Sequence, residues 1–410
     1  MSSAPLAGAL AEEVWELLAA RVGAGERRFV AIDRAVGRVL ADDARAPSAF
    51  PPFDRAVMDG YAVRCEDFAA GRAVLRCDGL ARAGAGLGLA VERGACLRIN
   101  TGAPLPAGAD AVVMVEHARE LDSGAVELEG PPTPGQHIER HGSLLQPGAL
   151  IAPAGTLIRA GAVAALAAAG LRAARVFAPP RVALISTGDE LAPVDRDLAP
   201  GEIYDSNRIA LTELSRAAGG EVMLSETAPD EPGPLRDRLS DGLRADLLCV
   251  VGGMSKGTHD LVPAALEALG VAWLVTSLRL KPGKPMRLGR APCGAWVLGL
   301  PGNPVSCAVC FLLFARPILQ GMQGLGARPP ERLSGVLQCD VRPNAARPLF
   351  QPAQWNAGPH GESLLAPCPW RGSGDPFGLS NANALLYRPA HAPAAQRGER
   401  ALFIPLDGLR

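Results

Sequence analysis

The sequence predicts an α/β multidomain protein with a central doubly wound parallel sheet. Between residues 181 and 322, short apolar strand-like runs alternate with helical runs, which is typical of parallel strands joined by crossover helices. Between residues 46 and 148, proline and glycine interrupt short strand-like runs, which predicts a small β-rich unit. From Arg328 onward this second pattern returns without helical periodicity, and it predicts a small C-terminal β-barrel or sandwich.

The individual elements follow from periodicity and from their flanking Pro and Gly residues. Helices are predicted at residues 6–22, 159–169, 207–218, 235–243, 260–269 and 304–322. Strands are predicted at residues 111–116, 181–187, 221–227, 245–251, 271–276 and 295–300.

Composition excludes several classes of function. The 410 residues carry a formal net charge of −1, which provides no overall field for nucleic acid. The longest apolar run, residues 161–171, is too short to cross a bilayer, and the N-terminus lacks the pattern of a signal peptide. Nine irregularly spaced cysteines indicate reduced thiols. We therefore expect a cytoplasmic protein that binds neither nucleic acid nor membrane.

Three predicted strands end in polar loops that contain glycine, at residues 186–190, 252–257 and 299–306. Loops at the carboxyl ends of parallel strands converge on one crevice, where ligands bind. Pro304 occupies the first position of the following helix, whose N–H groups and positive dipole end would face that crevice. We expect the loops to bind a phosphate or a similar oxyanion through Thr187, Gly188, Gly252, Gly253, Ser255, Pro301, Gly302, Asn303 and Ser306.

Charged residues near these loops complete the predicted site. Of 41 Lys and Arg residues, three are lysines, namely Lys256, Lys281 and Lys284. This clustering favours an anion site, because lysine supplies a compact point charge that arginine does not replace. Nearby acids predict a bridging Mg²⁺; they are Asp189, Glu190, Asp205, Asp230 and Asp260. For Asp205, capping of the following helix is an equally good interpretation.

Other motifs favour structural roles. The chain has no phosphate-binding Gly-x-x-x-x-Gly-Lys-Ser/Thr loop. Cys307 and Cys310 lie in an apolar helix, which favours burial over redox or zinc chemistry. His137 and His141 have the spacing of metal ligands, but nothing in the sequence pairs with them.

Several motifs occur together in a characteristic order. They are Met-Asp-Gly-Tyr-Ala from Met58, Thr-Gly-Ala-Pro from Thr101, Ser-Thr-Gly-Asp-Glu-Leu from Ser186, Ile-Tyr-Asp-Ser-Asn from Ile203, Gly-Gly-Met-Ser-Lys-Gly from Gly252, Lys-Pro-Gly-Lys-Pro from Lys281 and Gly-Leu-Pro-Gly-Asn-Pro from Gly299. Over residues 29–409 the chain resembles molybdopterin molybdotransferases, the molybdenum insertase family that includes the E domain of gephyrin.

The resemblance implies a reaction and an assembly. Molybdate would be inserted into the dithiolene of adenylylated molybdopterin, with release of AMP and with a divalent cation. The family forms homodimers whose site lies between the doubly wound unit of one chain and the Asp59-bearing unit of the other. Transient contacts with the adenylyltransferase and with molybdoenzyme acceptors are also expected.

The resemblance also assigns roles to residues. Glu190, Asp230 and Asp260 match acids around substrate and cation. Lys281 and Lys284 match anion-binding lysines. Pro301 and Asn303 match a phosphate-facing loop, and Asp59 and Thr101 match residues of the partner subunit. Four domains are implied: 1–45 with 146–178 (helical/linker), 46–145 (inserted, β-rich), 179–327 (doubly wound, molybdopterin-binding) and 328–410 (β-barrel).

Three positions depart from the family pattern. Gly142-Ser143-Leu144 replaces the usual Gly-Glu-Asp, so two acids are missing. Ala56 occupies a position where serine is common, and Lys256 replaces an apolar residue. The missing acids keep open a non-catalytic binding or scaffold function. Molybdopterin adenylyltransferase is a weaker alternative, because that activity needs the doubly wound unit alone.

Overall fold

The computed structural model describes residues 4–68, 71–84, 88–254 and 261–406. The chain divides into two compact units. The first unit comprises Met1–Arg28, Gly37–Ala41 and Arg175–Arg410, and the second comprises Phe29–Val36 and Asp42–Ala174. The further division into four domains stays a prediction.

The N-terminal elements include a mixed sheet that lies in the second unit. Up to Phe177 the helices and strands are α1 (Ala11–Arg21), β1 (Arg27–Ala31), β2 (Ala44–Arg45), β3 (Arg55–Ala56), β4 (Gly60–Val63), β5 (Arg72–Ala81), β6 (Ala95–Ile99), β7 (Ala111–Met114), β8 (Ala118–Glu120), β9 (Ala125–Glu129), β10 (Ile138–Glu139), β11 (Leu150–Ala152), α2 (Ala160–Ala168) and β12 (Ala173–Phe177). Six strands form a sheet in the order β7-β4-β6-β5-β9-β8, with β5 and β6 parallel and the other neighbours antiparallel. This confirms the predicted β-rich unit.

The central elements form the predicted alternation of strands and helices. They are β13 (Arg181–Thr187), β14 (Leu191–Ala192), β15 (Ile203–Tyr204), α3 (Ser206–Ala217), β16 (Glu221–Ala228), α4 (Pro232–Gly242), β17 (Leu247–Val251), α5 (Leu261–Ala268), β18 (Ala272–Val275), β19 (Arg287–Arg290), β20 (Trp296–Leu300) and α6 (Pro304–Met322). The sheet order is β16-β13-β17-β20-β19-β18, and the first four of these strands are parallel.

One strand of this sheet was not predicted, and it makes the sheet mixed. β19 lies antiparallel between β20 and β18, so the predicted parallel sheet carries one antiparallel strand near this edge. Its sequence Arg-Leu-Gly-Arg carries little strand signal. Gly289 is required there because a Cβ would lie 2.9 Å from atoms of both Trp273 and Val271.

The C-terminal strands close into a barrel, which confirms the barrel alternative. They are β21 (Leu333–Leu337), β22 (Leu349–Ala357), β23 (Ser363–Pro367), β24 (Ala384–Arg388) and β25 (Arg400–Pro405), in the order β21-β23-β22-β24-β25. The barrel residues Phe350, Leu385 and Ile404 belong to the same hydrophobic cluster as one face of the central sheet. The barrel loops are therefore held firmly against the sheet.

Helix α6 is the main core helix of the first unit. Its composition and length would allow it to cross a membrane, but 83% of its apolar window is buried within the protein. It packs with α1, whose Trp15 donates a 2.7 Å hydrogen bond from Nε1 to Leu313 O. Burial of α6 under the sheet fixes its N-terminus beside the ends of the strands.

Candidate functional site

A cavity of about 730 Å³ lies at the carboxyl ends of β13, β17 and β20, and we call it the strand-end cavity. Its lining includes Thr187 and Gly188 after β13, Gly252 and Gly253 after β17, and Pro301, Gly302 and Asn303 after β20. The three loops therefore converge, as the topology of a parallel sheet predicts. Ser255 and Lys256 of the second loop lie outside the described residues.

Short backbone contacts hold these loops together. Asn207 Nδ2 donates a 2.6 Å hydrogen bond to Gly302 O, and Gly252 N donates one of 3.1 Å to Leu300 O. Gly252 has φ +93°, and a Cβ there would lie 2.6 Å from Thr187 O. Glycine at position 252 therefore allows the loop after β17 to contact the loop after β13. This packing role is separate from any contact that the glycine makes with an anion.

Asp205 has the structural role that the sequence left open. It is 3% exposed and is the N-cap of α3, accepting a 3.1 Å hydrogen bond from Arg208 N. Arg208 Nε lies 3.0 Å from its second oxygen, and Ser186 Oγ and Thr227 Oγ1 also donate to it. Asp205 lines the cavity, but both its oxygens are occupied by protein donors.

Two of the three predicted cation ligands line the strand-end cavity. These are Glu190 and Asp230, whereas Asp260 lies outside the described residues. Among the residues that the structure describes, no cluster of three His, Cys, Asp or Glu side chains could hold a metal ion. Mg²⁺ is commonly bound by one or two carboxylates together with substrate phosphates. Glu190 and Asp230 provide two carboxylates beside loops whose glycines leave room for phosphate groups, which fits that mode of binding.

A second cavity of about 440 Å³ contains Lys281 and Lys284, and we call it the lysine cavity. Both lysine side chains are exposed, and neither has a hydrogen-bond or ion-pair partner within the described residues. Arg347 and Arg371 also line the cavity, and none of its described lining residues is an acid. Four cations without a carboxylate make this cavity a strong site for an oxyanion.

The sequence did not predict Arg347 and Arg371. Both come from segments that border barrel strands, far from the lysines along the chain. Lys281 N donates to Pro348 O and Phe350 N donates to Lys281 O, each at 2.8 Å, which holds the lysine loop against the barrel. The glycine-containing run Arg371-Gly372-Ser373-Gly374 was a weak signal that could have identified this loop.

The two cavities share one wall, formed by Pro285, Pro301 and Asn303. Asn303 Nδ2 donates to Ser373 Oγ at 3.0 Å, and Val305 N donates to Ser373 O at 3.0 Å. The start of α6 offers fewer free N–H groups than the sequence predicts. Pro304 has no N–H, and the N–H of Val305 is already bonded to the barrel loop. Ser306 is buried and lines the lysine cavity.

In the second unit, Asp59 and Thr101 lie next to each other. Thr101 N donates a 2.7 Å hydrogen bond to Asp59 Oδ1, and both residues are exposed. The adjacent Gly60 begins β4, where a Cβ would lie only 2.0 Å from Val113 O. The close strand pairing thus explains the glycine, while the two polar residues remain accessible.

Comparison with known proteins agrees with this geometry. Residues 9–170 match the MoeA N-terminal region (domain I and II), and residues 183–321 match a probable molybdopterin binding domain. A molybdopterin molybdenumtransferase from Nostoc sp. is 36% identical over 296 residues, covering 70% of this chain and 68% of that protein. The chain belongs to the molybdopterin molybdenumtransferase family.

Two further relatives extend the match over most of the chain. The molybdopterin molybdenumtransferase of Haemophilus influenzae is 30% identical over 330 residues, covering 80% of each protein. The crystal structure of a molybdopterin biosynthesis MoeA protein from Pyrococcus horikoshii superposes with a TM-score of 0.81 at 30% identity. That comparison covers 98% of this chain and all of the other, so the match includes the C-terminal barrel.

The departure from the family pattern at Leu144 lies on the surface of the second unit. Leu144 is 61% exposed, and its N–H donates to Phe50 O at 3.1 Å. An acid at this position would need no rearrangement of the core. The leucine is therefore a chemical change at an accessible loop, not a requirement for packing.

The remaining sequence candidates have structural surroundings. Cys307 and Cys310 are buried, and burial raises the pKa of both thiols, which makes them poor nucleophiles. His137 adopts a left-handed backbone conformation with φ 55° in the turn before β10. Neither His137 nor His141 belongs to a metal-binding cluster among the described residues.

Proposed function

We propose that this protein inserts molybdate into adenylylated molybdopterin with release of AMP, in the presence of Mg²⁺. The observation that carries the proposal is the lysine cavity, with four cations and no described acid, directly beside the strand-end cavity with its phosphate-sized loops. A small dianion and a phosphoanhydride could thus bind side by side. Membership of the molybdopterin molybdenumtransferase family supports the same reaction.

The lysine cavity would hold molybdate. Molybdate is a tetrahedral dianion, and Lys281 and Lys284 offer ammonium groups without competing protein acceptors. Arg347 is less mobile, because its Nη1 donates a 3.1 Å hydrogen bond to Leu280 O. Two dithiolene thiols displace one oxo group, which leaves as water with the two thiol protons. The cations lower the charge repulsion that opposes this exchange.

The strand-end cavity would hold the phosphoanhydride. Glycines 188, 252 and 302 leave room for close approach of phosphate oxygens to the backbone. Cleavage of the anhydride consumes one water and releases AMP. Glu190 and Asp230 are the described residues that would hold Mg²⁺, which when bound neutralises charge developing on the phosphates. Without it, the two carboxylates would repel the substrate.

The assembly and location are further parts of the proposal. We propose a cytoplasmic homodimer in which Asp59 and Thr101 complete the site of the partner subunit. Their mutual hydrogen bond fixes the carboxylate while leaving one oxygen available for a substrate donor. Transient contacts would connect the protein with the adenylyltransferase that supplies its substrate and with molybdoenzymes that accept the cofactor.

The test is AMP release from adenylylated molybdopterin by the purified protein with Mg²⁺, with and without molybdate. We expect molybdate-dependent release, which would also show that the Gly142-Ser143-Leu144 loop functions without acids. Tight pterin binding with no release would contradict the proposal and favour a carrier or scaffold. In that case Leu144→Asp is the first variant to assay, since its exposed position tolerates an acid.

A further inference from the structure

Arg332, the residue before β21, joins helix α1 to two strands of the barrel. Its guanidinium carbon lies 4.1 Å from the ring centre of Tyr387, 5.2 Å from that of Trp15 and 6.0 Å from that of Phe350. Its Nη2 also lies 2.9 Å from Glu12 Oε1, and the side chain is 24% exposed. Because the guanidinium is largely out of water, its attraction to the ring faces adds to the ion pair.

The rings around Arg332 are themselves held in place. Phe350 is fully buried and pairs with Tyr387 across β22 and β24, with ring centres 5.1 Å apart. Trp15 Nε1 donates a 2.7 Å hydrogen bond to Leu313 O of α6. Arg332 therefore connects the start of β22 with the core helix α6 through Trp15.

The start of β22 also contacts the segment that carries the lysines. Phe350 N donates to Lys281 O, and Lys281 N donates to Pro348 O, each at 2.8 Å. Arg347 Nη1 donates a 3.1 Å hydrogen bond to Leu280 O. The start of β22 thus determines where Lys281 and Arg347 lie relative to each other.

The cations of the lysine cavity depend on this backbone arrangement for their positions. The ammonium groups of Lys281 and Lys284 have no hydrogen-bond or ion-pair partner within the described residues. Their distances from Arg347, and from a bound dianion, therefore follow from the positions of the two chain segments. Misplacement of a binding group by about 1 Å can cost up to about 100-fold in rate, so a small shift of β22 would matter.

We propose that Arg332 is a positioning residue for the lysine cavity, and that it keeps Lys281 and Arg347 at the spacing that binds molybdate. Arg332 acts through Phe350, since it does not itself line the cavity. The inference rests on the proposed function, because molybdate is taken as the occupant of the cavity. No residue of β22 lines the strand-end cavity, so binding of the phosphoanhydride should not depend on Arg332.

The experiment measures binding of molybdate and of AMP to the full chain by calorimetry. Arg332→Met keeps a flexible apolar side chain beside the rings and removes the charge. We expect its molybdate affinity to fall about 10-fold and its AMP affinity to stay unchanged. Arg332→Lys keeps a cation beside the rings and should lose less molybdate affinity than Arg332→Met. In turnover, the KM for molybdate should rise in Arg332→Met while kcat stays at the wild-type value, because the groups that contact the substrates remain.

Tyr387→Leu tests the same contact from the other side, since it removes the ring nearest to the guanidinium. It should weaken molybdate binding, and combining it with Arg332→Met should add little further loss, because both changes break one contact. Arg290→Met is the matched control. Arg290 lies 4.4 Å from the ring centre of Trp296 but lines neither cavity, so its loss should leave molybdate affinity unchanged.

Wild-type molybdate affinity in Arg332→Met would overturn the inference. An equal loss of AMP affinity would also overturn it, since it would indicate a general disturbance of the fold. If Arg332→Met does not fold, Tyr387→Leu decides by the same two criteria. The proposed function fails separately, through the absence of molybdate-dependent AMP release by the wild-type protein.

Discussion

Asn303 Nδ2 donates a 3.0 Å hydrogen bond to Ser373 Oγ and so connects the loop after β20 with a loop of the barrel. Asn303 lines both cavities, and Ser373 lines the lysine cavity. The barrel is therefore part of the wall that separates the proposed molybdate and phosphoanhydride positions. Its backbone strengthens the connection, because Ser373 O accepts from Val305 N at the start of α6.

Ser373→Ala should disrupt this wall while leaving the fold intact. We expect a loss of stability of about 1 kcal/mol, typical of one hydrogen bond, and an increase of several-fold in KM for molybdate. Asn303→Ala and the double variant complete a mutant cycle with molybdate KM as the readout. Additive effects of the two substitutions would show that the side chains do not act together.

Lys281→Ala and Lys284→Ala should each impair molybdate binding. Removing one uncompensated ammonium from the lysine cavity should weaken molybdate affinity by at least about 10-fold, equivalent to about 1.4 kcal/mol. Arg342→Ala is the control, because Arg342 is an exposed barrel cation that does not line the cavity. Calorimetric titration with molybdate measures the effect. Full affinity in both lysine variants would show that the anion binds elsewhere.

Glu190→Gln and Asp230→Asn should increase the Mg²⁺ concentration required for AMP release. Each substitution removes one of the two carboxylates of the strand-end cavity that we propose as Mg²⁺ ligands. We expect half-maximal activity to require about 10-fold more Mg²⁺, with a lower maximal rate. Asp195→Asn removes an exposed acid outside the cavity and should leave the Mg²⁺ dependence unchanged. An unaltered Mg²⁺ titration in the first two variants would exclude them as ligands.

Gly252→Ala should be far more harmful than Gly201→Ala. The two glycines have φ +93° and +92°, so the strain of the left-handed backbone, about 1 kcal/mol, is common to both. A Cβ at residue 252 would lie 2.6 Å from Thr187 O, whereas one at residue 201 has no atom within 4 Å. We expect a larger drop in melting temperature and weaker AMP binding for Gly252→Ala. Equal effects of the two substitutions would show that the loops after β13 and β17 can move apart without a loss of stability.

The loop that contains Leu144 should become less protected in acid. Asp54 accepts a 2.8 Å hydrogen bond from His141 N and pairs with Arg140 at 2.6 Å, and these contacts hold its pKa below its usual range. A carboxylate with a lowered folded-state pKa stabilises the fold above its unfolded-state pKa. That stabilisation is lost as the pH falls through the folded-state pKa. Since the side chain is 34% exposed, solvent screening limits the effect to about 1 kcal/mol or less.

Hydrogen exchange of residues 140–145 measures this contribution. At neutral pH, Asp54→Asn should exchange several-fold faster than the wild type, and the difference should shrink in acid as Asp54 becomes protonated. Asp122→Asn removes an exposed acid in the same unit and should exchange at the wild-type rate. A difference between Asp54→Asn and wild type that persists in acid would assign the effect to the changed side chain itself, not to its charge.

The sequence by itself determined the parallel core of the central sheet, the convergence of the loops after β13, β17 and β20, and a small β-rich C-terminal domain, for which it left a barrel and a sandwich open. These features rest on local signals. Hydrophobic periodicity and glycine position are properties of neighbouring residues, and the ends of parallel strands necessarily share one edge. The ordered motifs around Asp59, Lys281 and Asn303 likewise indicate the family, because each is a run of neighbouring residues.

Only the tertiary structure decided which distant segments meet. Arg347, Arg371 and Ser373 join the lysine cavity because the barrel packs into the same hydrophobic cluster as the sheet. Asp205 accepts from four protein donors, and Val305 N donates to Ser373 O. These hydrogen bonds also depend on contacts between separate elements. Long-range packing has no periodic signature in one sequence. The lysine cavity combines lysines of the central domain with arginines of barrel loops, so its full set of cations is defined only when the barrel packs against the sheet.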